Sequence, residues 1–192
     1  MNNKTIGFAL CGSFCTLNKV IPQIEGLINT GYKVIPILSF NVSSLDTRFG
    51  SASDLISKIN DITKEKAMVS ITDVEPIGPK SLLDLLIIAP CTGNTLAKIA
   101  NGISDTPVTL AAKSHMRNSR PVLIAVSTND ALSVNAKNIG TLMAMKNIYF
   151  VPLAQDEAVY KPCSAVADMD LIIPAANAAL DGTQIQPLLY SF

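Results

Sequence analysis

Apolar residues in this chain fall into two patterns. Short unbroken runs ("TIGFAL" at 5–10, "YKVIPIL" at 32–38, "LLIIAP" at 85–90, "PVLIAVS" at 121–127, "IYFVP" at 148–152) alternate with longer stretches of helical spacing. The unbroken runs predict strands buried on both faces, and a weaker run, "AMVSI" at 67–71, predicts another short one. Leu17, Val20, Ile21, Ile24, Leu27 and Ile28 predict a helix over 17–30 that Gly31 stops. Further helices are predicted over 53–63 with Ser53 as its cap, 92–101 ended by Gly102, 105–119 with Pro107 in its first turn, 131–146, and 168–181 interrupted at Pro174. Pro36 inside the second run predicts a local irregularity. Residues 39–52 read as a long polar connection and 155–164 as a loop.

Strand and helix alternate from end to end. That order predicts one α/β domain over 1–192: a three-layer α/β/α Rossmann-like fold with a mostly parallel, doubly wound sheet. In such sheets ligands bind beyond the carboxyl ends of the strands. Here those ends are alike in being small, hydroxyl-rich and uncharged. They hold Gly12, Ser13 and Phe14 after the first strand, then Ser39, then Thr92, Gly93, Asn94 and Thr95, then Ser127 and Asn129. Any one of these serines or threonines is an ordinary helix cap. Their recurrence at several ends, two of which open helices, predicts a site for an anion and a polar heterocycle.

The first turn lacks G-x-G-x-x-G, and Ser39 stands where a dinucleotide site would place an acid for the ribose. A mononucleotide phosphate on Gly12, Ser13 and Ser39 fits better.

Fifteen basic residues balance fifteen acidic ones without a basic block, so no nucleic-acid partner is indicated. The N-terminus has no signal-peptide pattern, and no apolar run reaches the roughly 18 residues of a membrane span. A cytoplasmic protein is expected. The four cysteines are scattered and read as free thiols packed as small hydrophobes, Cys91 among them. With a single histidine in the chain no metal site is expected. His115, between polar residues, reads as an exposed imidazole, and Asp105 as a helix cap.

The stretch "PCTGNTLAKIANGISDTPVTLAA" resembles the flavoprotein family of flavin mononucleotide (FMN)-binding α/β proteins. Pro90, Asn94, Thr95, Ala97, Lys98, Gly102, Asp105 and Thr109 match its signature. That family includes peptidyl-cysteine decarboxylases, phosphopantothenoylcysteine decarboxylase and flavin prenyltransferase. Over nearly its whole length the chain resembles the branch of subunits that act with a nucleotide-binding partner subunit. Such pairs make pyridine-2,6-dicarboxylate, from a dihydro- or hydroxytetrahydro-dicarboxylate, in the mother cell of a sporulating bacterium.

The resemblance implies an oxidoreductase subunit with FMN as cofactor, NAD(P) entering only through the partner, and a heterocyclic dicarboxylate as substrate. It implies that Gly12, Ser13 and Ser39 hold the flavin phosphate, that Thr92, Gly93, Asn94 and Thr95 line ring and ribitol, and that Ser127 to Asn129 close the site. Lys161 lies in the covering loop and is the first choice for a substrate carboxylate. Asn94 is the first choice for hydrogen bonding to ligand or substrate. The implied homo-oligomer would pack through the helices after "LLIIAP". The decarboxylases' histidine after the second strand is absent, and Ser127 stands where the prenyltransferases carry an arginine. Both departures argue against those two activities. A subunit that binds flavin or substrate without catalysing stays open as the alternative, as does a family-typical flavin-dependent decarboxylase or prenyltransferase.

Overall fold

The buried runs form one seven-stranded sheet in the computed structural model, which describes residues 4–190. Strands β1 (Thr5–Leu10), β2 (Lys33–Leu38), β3 (Leu85–Cys91), β4 (Val122–Thr128) and β5 (Ile148–Phe150) are parallel to their neighbours. The short strand β7 (Ala165–Ala167) runs antiparallel to β4 and to β6 (Leu153–Ala154), which pairs with it at the edge. The order is β2-β1-β3-β4, after which the far edge of β4 is shared. Residues 122–124 pair with β5, while Ser127 and Thr128 pair with β7. Every residue of β3 is buried, as its unbroken apolar sequence requires of a strand covered on both faces.

The helices are α1 (Leu17–Asn29), α2 (Phe40–Ser44), α3 (Ala52–Thr63), α4 (Ile71–Val74), α5 (Gly93–Ala100), α6 (Pro107–Met116), α7 (Ala136–Met143) and α8 (Ile172–Leu180). A 3-10 turn, Phe14–Thr16, leads into α1. Helices α1 and α8 touch each other and the sheet, and α5, α6 and α7 form a second connected group. The result is the doubly wound α/β architecture expected, with one continuous apolar core running along the sheet.

Several local expectations are corrected. Pro36 causes no irregularity: the β1–β2 register is unbroken from Thr5↔Lys33 to Leu10↔Leu38. β2 is the outermost strand, and the Pro36 carbonyl accepts from Met68 N–H at 2.9 Å, so the side lacking an N–H faces away from β1. "AMVSI" is not a strand. Met68 makes an isolated bridge to Ile37, and Ser70 and Asp73 then form a capping box that starts α4.

Ser51, not Ser53, caps α3, its Oγ accepting from Asp54 N–H at 3.1 Å. The polar connection 39–52 contains α2. The helix expected over 131–146 forms only as α7, preceded by turns. Pro174 does not interrupt α8, because it sits in the first turn where no intrahelical N–H is needed.

Thr106 caps α6 in a box with Thr109. Asp105 instead binds the Lys98 ammonium at 2.8 Å, which holds its carboxyl below the usual range. His115 is buried at the end of α6, not exposed. Cys15 is exposed, whereas Cys11 and Cys91 are packed in the core.

Candidate functional site

The carboxyl ends of β1, β3 and β4 open into a cleft of about 900 Å³. One wall is the turn Gly12–Thr16 with the exposed side of α1 (Asn18, Lys19, Gln23). The floor is Thr92, Ser127, Thr128 and Asn129. The opposite wall is Asp156, Lys161, Ser164 and the segment 166–170. Such a volume suits a cofactor or a small heterocycle with room to spare.

Three hydroxyls form a closed triangle in this cleft. Ser13 Oγ is 2.9 Å from Ser127 Oγ, Thr16 Oγ1 is 3.0 Å from Ser127 Oγ, and Ser13 Oγ is 3.1 Å from Thr16 Oγ1. Each hydroxyl carries one rotatable proton, so the ring can satisfy itself or turn protons toward an entering anion. Thr16 is not among the residues expected from the sequence. Its signal is its place three residues after Ser13, which puts both side chains on one side of the turn.

Of the expected site residues the cleft gathers Gly12, Ser13, Thr92, Ser127, Asn129 and Lys161. The others lie elsewhere. Phe14 lines a separate apolar pocket of about 170 Å³ with Leu17, Ile21, Val42 and Phe49. Asn94 is exposed at the head of α5 and does not line the cleft. Thr95 is buried and donates to Cys11 Sγ at 3.4 Å, while Thr92 Oγ1, 3.1 Å from Thr95 Oγ1, caps α5. Gly93 is pressed against Thr128, Asp130 and Asn135.

Ser39 ends β2 beside β1, its N–H donating to the Leu10 carbonyl at 3.0 Å. Its Oγ is buried with no hydrogen-bond partner among the described residues. A Cβ on Gly12 would lie 3.5 Å from Asn41 Cβ, so the Gly12 turn looks toward the segment that Ser39 opens.

Charge in the cleft is mixed. Lys161 Nζ pairs with Glu157 at 2.9 Å, and that carboxylate, with Asp156 adding to it, strengthens its hold on the proton. Lys19 faces the cleft from α1. Cys11 and Cys91 take no charge: burial raises Cys11 to about 11 and holds Cys91 well above the ordinary thiol range, so neither is a thiolate at neutral pH. Among the described residues no cluster of three or more His, Cys, Asp and Glu side chains could hold a metal, and no helix is long and apolar enough to cross a membrane.

Residues 1–176 match the family model described as Flavoprotein. The chain is 49% identical over 189 residues to a dipicolinate synthase subunit of Bacillus subtilis (strain 168), covering 98% of this chain and 94% of that protein. It superposes on the crystal structure of a dipicolinate synthase subunit from Bacillus halodurans C with a TM-score of 0.90 at 47% identity, covering 98% and 96% of the two chains. At the level of fold alone it resembles Burkholderia xenovorans DmrB, solved in complex with FMN and described as a cubic protein cage for redox transfer. There the TM-score is 0.71 at 17% identity, covering 94% and 97%.

Proposed function

Since this chain belongs to the flavoprotein family, we propose that it is the flavin-fold subunit of a two-subunit oxidoreductase, a dipicolinate synthase, that forms pyridine-2,6-dicarboxylate. The partner in this reading is the nucleotide-binding subunit of the same synthase. The precursor is a dihydro- or hydroxytetrahydrodipicolinate, and the setting is the mother-cell cytoplasm during sporulation. The observation that carries the reading is the 49% identity sustained over 98% of the chain to the Bacillus subtilis protein.

The residues present fit FMN. Ser39 Oγ is a buried hydroxyl that a phosphate oxygen would satisfy, and the Ser13–Thr16–Ser127 triangle can aim protons at an anion. In this reading Gly12, Ser13 and Ser39 hold the phosphate, and Thr92, Ser127 and Asn129 line the remainder. Bound flavin supplies an acceptor for the two electrons that leave the ring as it becomes aromatic. The chain's own part is to orient the substrate, with Lys161 and Lys19 as the cations available to its carboxylates. NAD(P) enters only through the partner.

Decarboxylation by a histidine route is disfavoured, because the sole histidine is fixed 2.9 Å from the Pro121 carbonyl at the opposite end of β4. The second reading is a subunit that binds flavin or substrate while the partner performs the redox step. Ser127 standing where the prenyltransferases carry an arginine, and the lack of a histidine after the second strand, favour it.

Titration of the purified chain with FMN, followed by flavin fluorescence, tests the cofactor. Stoichiometric binding is expected, with Ser39→Ala weakening it about 10-fold or more through loss of a hydrogen bond to an anion. Dicarboxylate formation should then appear only when the partner subunit is added. Unaltered flavin fluorescence at high micromolar concentration would remove FMN from the proposal.

A further inference from the structure

Among the described residues, β5 and β6 each keep one side that no strand of the sheet covers, and the segment 183–190 runs along both. Beside β5 a side chain stands in for a strand. Gln184 Oε1 accepts from Phe150 N–H at 2.8 Å, and Gln184 Nε2 donates to the Phe150 carbonyl at 2.7 Å. Further on, the backbone itself pairs with β6. Leu153 N–H donates to the Leu188 carbonyl at 2.9 Å, Tyr190 N–H donates to the Leu153 carbonyl at 3.4 Å, and Leu189 and Leu153 form a parallel bridge.

What this segment covers carries one wall of the cleft. β6 pairs with β7 through Leu153↔Ala167 and Ala154↔Val166, and residues 166–170 line the cleft. Asp168 N–H donates to the Pro152 carbonyl at 2.8 Å, and its carboxylate accepts from Asp170 N–H at 3.1 Å as the cap of the Met169–Leu171 turn. Asp170 accepts from Gln23 Nε2 at 3.2 Å, which ties this wall to α1 across the cleft. Tyr190 reaches the same carboxylate. Its phenol hydrogen-bonds Asp168, and burial together with that carboxylate raises it to about 12, so it remains a donor at neutral pH.

β6 has two residues and β7 three, and β7 meets β4 only at Ser127 and Thr128. Strands this short are marginal as a pair and need a further partner. The segment 183–190 supplies it on the outer side.

We propose that the segment 183–190 is a positioning strap for the cleft, with Gln184 and Tyr190 as its positioning residues: its docking on β5 and β6 holds the wall 166–170 in the shape that binds ligand, so docking and occupancy favour each other. The inference rests on the reading under Proposed function for the ligand, FMN, and goes beyond it in assigning the strap. A segment that only covered an open edge would block mispairing and leave ligand affinity alone. A strap is reciprocal: the factor by which undocking weakens the ligand is the factor by which the ligand tightens the docking.

The test is amide hydrogen exchange and FMN titration of the full chain as wild type, Gln184→Ala and Tyr190→Phe. Without ligand, Gln184→Ala should speed exchange at Leu153 and Asp168 by about 10-fold or more while β3 stays within about twofold of wild type. Its FMN affinity should fall about 5-fold or more. Tyr190→Phe keeps the ring and loses only the bond to Asp168, and a fall of about threefold or more is expected. Saturating FMN should slow exchange at Leu153 and Tyr190 in the wild type, which a purely structural edge cover would not show.

Should Gln184→Ala disturb folding, Tyr190→Phe is read in its place. Wild-type FMN affinity in both variants, or exchange at Leu153 and Tyr190 that FMN leaves unchanged, would overturn the strap while leaving the proposed function standing. A wild-type chain that binds no FMN at high micromolar concentration would instead remove the cofactor reading, and pyridine-2,6-dicarboxylate then serves as the probe of the same coupling, with the same outcomes deciding it.

Discussion

Gly93→Ala should lower the stability of the fold by about 2–4 kcal/mol and weaken ligand binding in the cleft, although the change adds only a methyl at the start of a helix. A Cβ at this position would lie 2.5 Å from Asn135 Nδ2, 2.6 Å from Asp130 Oδ1 and 2.7 Å from Thr128 Oγ1. None of these atoms is free to retreat. Thr128 Oγ1 donates to Asp130 Oδ1 at 2.6 Å, Asn135 Nδ2 to Asp130 Oδ2 at 2.8 Å, and Asn138 Nδ2 to Asn135 Oδ1 at 2.8 Å.

Asn135 and Asn138 are buried, so a methyl that displaces this network leaves polar groups unpaired away from water. The gain in helix propensity from glycine to alanine, at most about 1 kcal/mol, does not offset that. Thr128 and Asn129 line the cleft, so the same displacement should reach the ligand. The control is Gly140→Ala in α7. A Cβ there meets nothing within 4 Å, and a gain of about 0.5–1 kcal/mol is expected. Denaturant midpoints and FMN titrations of both variants decide the matter. If Gly93→Ala matches wild type in both, the network does not set the shape of the floor.

The same glycine shows how far the sequence could be read. Its position at the end of an apolar run, before a helix, was legible because strand burial and helix capping are local effects of residue type. For the same reason β1 to β5, and the stops at Gly31 and Gly102, were anticipated. What Gly93 faces was not legible, because Asp130 and Asn135 reach it only through the β3–β4 pairing.

The expected ligand roles divide along that line. Residues at the strand ends and in the turns just after them, Gly12, Ser13, Thr92, Ser127 and Asn129, came together in the cleft. Asn94, one step into a helix, is exposed outside it, and Phe14 lines the second pocket on another side of α1. Charge partners were the least legible. Nothing local distinguishes Asp105 as a cap from Asp105 as the partner of Lys98 seven residues earlier. A polar neighbourhood in sequence likewise misplaced His115, whose own side chain faces the core.

That misplaced histidine carries the second large effect, a loss of stability of about 3 kcal/mol as pH falls from about 6.5 to about 4. His115 is 1% exposed, and its Nε2 lies 2.9 Å from the Pro121 carbonyl. A carbonyl only accepts, so Nε2 holds the proton of the neutral ring. Burial is the largest influence and lowers the imidazole from its ordinary 6.5 to about 4. The Pro121 carbonyl opposes this, and the Arg120 guanidinium adds to it.

The unfolded chain therefore binds a proton below about pH 6.5 that the folded chain does not take until about pH 4. Between those values the unfolded state holds more protons, and stability rises with pH. The contribution is complete above about 6.5 and is lost progressively toward about 4. Carboxylates such as Asp105, held low by Lys98, lose their contribution at lower pH, so the two slopes separate. Urea midpoints at about pH 7, 5.5 and 4.5 should fall steeply for wild type. They should fall much less for His115→Gln, which keeps an amide donor toward Pro121 but cannot titrate. Parallel slopes in the two proteins would place the acid sensitivity elsewhere. The site chemistry should be insensitive to His115→Gln at neutral pH, because the ring sits at the amino end of β4 and the cleft opens at its carboxyl end.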